Sequence, residues 1–102
     1  MEQEKLELYA TILNQLGGKK FSVMVGMKDL SAAGNYIQFK IGRNSSKANL
    51  VRVELMGDDT YTMTFMSFRG VNIKILKEFT GVYCDQLENI FSSFTGMATR
   101  LF

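Results

Sequence analysis

Histidine is absent from this 102-residue chain, and cysteine occurs once, at position 84. The first absence removes zinc sites built on imidazole and every catalytic triad that needs a histidine base. The lone Cys84 removes paired-cysteine metal sites and any disulfide within the chain. Proline and tryptophan are missing too, so no proline-marked linker divides the chain. No apolar run approaches the roughly 18 residues that a membrane span requires. The opening MEQEKLELYA is acidic and periodic, unlike a signal peptide with a basic start and an apolar middle. Together these absences lead us to expect a cytoplasmic protein that is not an enzyme and carries no cofactor or metal.

What is present suits a single α+β domain over residues 1–102, with 46% hydrophobic and 22% charged residues. The seven methionines serve either as core filler or as an adaptable contact surface. The net charge of +2 is unevenly spread. Between Lys19 and Lys77 ten basic residues face four acidic ones, while both flanks are acidic. A basic middle suits an anionic partner, and ordinary solvated charge accounts for it equally well.

Hydrophobic spacing gives the elements. Leu6, Tyr9, Leu13 and Leu16 recur at helical intervals over residues 2–16, and Gly17-Gly18 supplies a stop. Five strands are predicted from period-two alternation. They are Lys20–Met27, Asn35–Ile41, Val51–Leu55, Tyr61–Phe65 and Val71–Ile75, with Lys28–Gly34 as a turn. In the last strand Val71, Ile73 and Ile75 are expected to face the core. Thr80 is expected to cap a closing helix whose stripe is Tyr83, Leu87, Ile90, Phe91 and Phe94. Short connections favour an antiparallel meander. The predicted architecture is α-β-β-β-β-β-α, with the N- and C-terminal helices packed on one face of a five-stranded antiparallel sheet.

The other sheet face is the first candidate surface. Lys40, Arg52 and Lys74 are expected to share it with Tyr36, and Phe68 joins them if strand four keeps its alternation. Cations interleaved with aromatic rings are what single-stranded nucleic acid needs, although the aromatic-rich signature of an RNA-recognition strand is lacking. The loop Gly42–Ala48 is the second candidate. Arg43 and Lys47 flank hydroxyl and amide groups able to meet phosphate, but the spacing is not that of a P-loop, and the loop is expected to be mobile. Asp58-Asp59 reads as turn chemistry and not as a metal pair. Cys84 reads as buried and inert. The apolar tail Met97–Phe102 either folds back on the core or offers a surface for a homodimer.

Two stretches, ILNQLGGKKFSVMVGMKDL from Ile12 and GVYCDQLENIFSSFT from Gly81, resemble small uncharacterised proteins of bacteriophages and bacterial mobile elements. The usual forms there are Leu-Gly-Gly-x-Lys-Phe followed by Met-Thr-Gly-Ala-Lys, and a closing Val-Tyr-Ala-Asp-Gln-Leu run. Leu16, Gly17, Gly18, Lys20, Phe21, Met24, Gly26 and Lys28 match the first, and Val82, Tyr83, Asp85, Gln86 and Leu87 the second. Val25, Met27 and Cys84 depart from it. The resemblance implies a phage-type product acting inside a bacterial host cell. By analogy it points to a binding protein that occupies a host protein, such as a defence nuclease, in an anti-CRISPR or similar role. The alternative is a single-stranded nucleic-acid-binding accessory protein that uses the basic sheet face. Partner contacts are expected at Tyr36, Lys40, Arg43, Lys47, Arg52 and Lys74.

Overall fold

The computed structural model describes residues 10–97 other than Leu13, and the backbone alone of Lys19 and Lys20. Helix α1 is seen over residues 10–12 and 14–16. It is followed by α2 (Gly18–Val25), β1 (Lys28–Ala33), β2 (Tyr36–Lys40), β3 (Leu50–Leu55), β4 (Tyr61–Arg69) and β5 (Asn72–Val82). A short 3-10 turn (Cys84–Gln86) then leads into α3 (Leu87–Thr95). The strands form one five-stranded antiparallel sheet in the order β1-β2-β3-β4-β5. The fold is α+β, with helices before and after a meander.

The core lies between one sheet face and the helices. Ile37, Phe39, Val51, Val53, Tyr61, Met63 and Phe65 from the sheet meet Ile12, Leu16, Phe21, Val25, Leu87 and Phe91 from the helices. Six phenylalanines run through it. Phe39 packs on Phe21 (6.0 Å between ring centroids), Phe21 on Phe91 (4.8 Å), and Phe91 on Phe65 (6.0 Å). Phe65, Phe79 and Phe94 close a triangle at the far end.

The first predicted strand is a helix instead. Residues 20–27 satisfy both periods, because Phe21 and Val25 are four apart as well as on one period-two face. Burial decides for the helix: Phe21 and Val25 are fully buried while Val23 is 72% exposed. Gly26 at φ 64° accepts the left-handed cap, and its N–H donates to the carbonyls of Ser22 and Val23. The predicted turn Lys28–Gly34 supplies the missing strand, β1, which turns into β2 through Gly34 at φ 55°.

The last strand also departs from its predicted phase. Gly70 and Val71 form the β4–β5 turn, and Val71 is 96% exposed at its tip. An irregularity opposite Phe65 and Met66 inserts Leu76 between Ile75 and Lys77. The insertion reverses the alternation, as bulges do. Leu76 and Phe79 pack on the core and Val82 lies within it, whereas Ile73 and Ile75 turn to the open face opposite Phe68 and Met66. Because β5 runs on to Val82, Thr80 lies in the strand and does not cap α3. Tyr83 caps the 3-10 turn, its N–H donating to Gln86 Oε1 at 3.0 Å, while Gln86 is the cap residue of α3; Tyr83 stays exposed outside the predicted stripe. Leu13, residues 2–9 and the tail after Met97 lie outside the described residues; Met97 itself packs against the core.

Candidate functional site: an open sheet face and a basic groove

Cross-strand pairing lays the open face out in rows. Tyr36, Glu54 and Thr62 form one; Ser31, Gln38, Arg52, Thr64 and Glu78 form the next. Lys28, Lys40, Leu50, Met66 and Ile75 form the third, followed by the pair Phe68 and Ile73. Leu50 and Met66 are buried, yet neither belongs to the helix-covered core. They lie on the other side, with the half-exposed Phe68 and the exposed Ile73 and Ile75 beside them. The face is therefore polar at one end and apolar at the other.

Two of its three cations, Arg52 and Lys40, are already engaged. Arg52 lies over the Tyr36 ring, 4.4 Å from the centroid, and donates from Nε (3.1 Å) and Nη2 (2.9 Å) to Gln38 Oε1. Lys40 pairs with Asp29 at 3.1 Å and lies 5.5 Å from the Phe68 centroid. Glu54 accepts from Asn35, and Glu78 accepts from Thr64. With Lys28, Lys40 and Arg52 balanced by Asp29, Glu54 and Glu78, the face carries no excess of positive charge. Basicity was the motive for placing nucleic acid here, and the face does not have it.

Lys74 is not on this face. It stands opposite Ser67 on the side that bears the helices. There it joins Arg43 and Lys47, which sequence spacing placed in a separate loop. A groove of about 510 Å³ is lined by Arg43, Asn44, Lys47, Asn49 and Arg69 among others. A second, of about 390 Å³, is lined by Lys47, Ser67, Arg69, Asn72 and Lys74 with Ile73 and Leu76. Lys47 and Arg69 line both, so the two grooves adjoin, and among the described residues this cleft has four cations and no carboxylate in its walls. Among the described residues none of the four forms an ion pair. Arg69 was missed because it reads as half of an Arg-Gly turn; only its place among the ten central bases hinted at more.

The loop that carries Arg43 and Lys47 is joined to its surroundings by a set of hydrogen bonds. Asn44 Nδ2 donates to the carbonyls of Gly42 (2.9 Å) and Ala48 (2.7 Å), and Asn44 Oδ1 accepts from Ser46. Ser45 Oγ donates to the Thr95 carbonyl at the end of α3 (2.9 Å), and the Gly42 N–H donates to Val25 (2.9 Å). Lys47 is held at φ 67°, a conformation that side-chain-bearing residues seldom adopt without such support. On the other wall, Asn49 clamps the Phe68 backbone by donating to its carbonyl (2.8 Å) and accepting from its N–H (2.7 Å).

The remaining candidates resolve simply. Asp58 accepts from the Thr60 hydroxyl and amide, which hold its carboxyl below the usual carboxylate range, and Asp59 adopts φ 65° in the same turn. Cys84 is exposed, not buried, at the start of the 3-10 turn. Among the described residues no group of three His, Cys, Asp or Glu side chains is placed to hold a metal ion, and no helix is long and apolar enough to cross a membrane. Comparison with protein-family models, with curated proteins and with solved structures brings no match.

Proposed function

We propose that the protein is a small non-enzymatic binding protein of phage type, acting in the bacterial cytoplasm by occupying the surface of a host protein such as a defence nuclease. The observation that carries the reading is the apolar end of the open sheet face. There the exposed Ile73 and Ile75 and the half-exposed Phe68 adjoin the buried Leu50 and Met66 on the side away from the helices. Exposed apolar patches of this kind mark protein–protein contacts. Lys40, paired with Asp29, borders the patch, so the complementary surface is apolar at its centre and polar at its rim. The alternative reading, nucleic acid on the same face, is weakened by the balanced charge described above.

The test is a two-step binding experiment. A host protein captured from nuclease-treated bacterial lysate is purified and titrated calorimetrically against the parent and against Ile73→Asp/Ile75→Asp. The paired variant should lose at least tenfold in affinity with an unchanged denaturation midpoint, because both side chains are already more than half exposed. Equal affinity of variant and parent would remove the apolar end from the interface. A homodimer through the same patch would show instead as a concentration-dependent mass in sedimentation, lost in the variant.

A further inference from the structure

We propose that the cleft between the 42–49 loop and the β4–β5 hairpin binds the sugar-phosphate backbone of single-stranded nucleic acid. The inference stands apart from the protein-docking reading, since its four cations are not in the apolar patch, and Ile73 is the residue that borders both. Arg43, Lys47, Arg69 and Lys74 line two adjoining grooves that share Lys47 and Arg69. An unbranched ligand with charge repeated along its length matches such a linear array, and phosphodiesters supply one negative charge per residue. Guanidinium forks donate to two phosphate oxygens at once, while the two ammonium groups act as adjustable point charges. A flexible single strand can follow two adjoining grooves of about 510 and 390 Å³ more closely than a stiff duplex can.

Three features favour a phosphate chain. First, no carboxylate lines the cleft, so nothing within it opposes an anion. Second, the cations are unspent: Arg52 and Lys40 on the open face have internal partners, and the four in the cleft have no ion pair among the described residues. Third, the loop is pre-ordered by Asn44, Ser45 and Gly42, so little ordering remains to oppose binding. Among the described residues no aromatic ring lines the cleft, so bases are not stacked there by them. Recognition is of backbone and indifferent to sequence.

Fluorescence anisotropy with a labelled mixed-sequence single-stranded oligonucleotide tests this. Binding should weaken with salt on a log–log slope of about −2 to −3, as neutralising three or four phosphates of a single strand predicts. Arg43→Gln/Lys47→Gln and Arg69→Gln/Lys74→Gln should each lose about tenfold or more and flatten the slope. Lys28→Gln/Lys77→Gln, which removes the same charge elsewhere, should change affinity less than threefold. Circular dichroism melts confirm that each variant is folded, and the Lys47→Arg variant should keep affinity if a groove mutant proves unstable. Four results would overturn the proposal: no binding at low salt, equal losses in the groove and control variants, a duplex bound as tightly as a single strand, or poly-glutamate competing as well as the oligonucleotide. The last of these would assign the cleft to an acidic protein.

Discussion

Replacing Phe91 by alanine is the sharpest probe of how the two ends of the chain are joined. Its ring is fully buried and lies 4.8 Å from Phe21 on α2 and 6.0 Å from Phe65 in the sheet. Truncating a phenylalanine at such a site removes its transfer energy and leaves a cavity, at a cost of about 3–5 kcal/mol. Each ring pair contributes about 0.5–1.5 kcal/mol of that beyond simple burial. For a domain of this size each kcal/mol lowers the melting temperature by about 4–8 °C, so the variant should melt at least about 12 °C below the parent. Phe94 makes a comparison, because it is only half-buried on the next turn while touching Phe65 at 4.5 Å. Phe94→Ala should cost about 1–2 kcal/mol, the scale of partial burial. Urea unfolding followed by far-UV circular dichroism measures both, with a constant slope confirming two-state behaviour. A loss below about 1 kcal/mol for Phe91→Ala, or equal losses for the two, would refute the packing described here.

Asn49→Ala should cost about 1–3 kcal/mol in the same assay, since both Phe68 backbone groups lose the side chain that pairs with them. Gly96 sits at φ 73°, and a Cβ there would meet Ser45 Oγ at 2.7 Å; Gly96→Ala should destabilise by about 1 kcal/mol or more. Adding Ser45→Ala should recover part of that loss, so a double-mutant cycle should be non-additive. Burial pushes the Tyr61 phenol above its ordinary value of 10.0. Folding therefore favours the protonated phenol, and its contribution is intact below pH 10 and lost as the pH rises toward the folded-state value. Alkaline denaturation of Tyr61→Phe should show a weaker pH dependence above that point, and an identical profile would contradict the assignment.

Much of this was legible in the amino-acid order. Val51, Val53 and Leu55 against Tyr61, Met63 and Phe65 are buried or half-buried in register, because that face packs on the helices, although Thr62, Thr64 and Met66 on the other face of β4 are buried as well. Two places misled, each for a physical reason. Phe21 and Val25 fit both a strand and a helix, and the helix-stopping role of Gly26 outweighed the β-branched character of Val23. In β5 the alternation was real but out of phase, since the inserted Leu76 has no signature in one sequence. The candidate site suffered from the same bulge. Lys74 was grouped with Lys40 and Arg52 by counting, and the structure gathers it instead with Arg43, Lys47 and Arg69.

Each strand pairs only with the strand next to it in sequence, and that has a consequence for the order of assembly. Hairpins closed by short turns surrender little chain entropy, so they can form early and independently. The meeting of Phe21 with Phe91 joins opposite ends of the chain and requires almost all of it to be in place. Docking of the helices is then the late event, and contacts made late govern how fast a protein falls apart more than how fast it forms. The aromatic run between α2 and α3 thus acts as a latch on an already folded sheet, and its grip sets the lifetime of the native state.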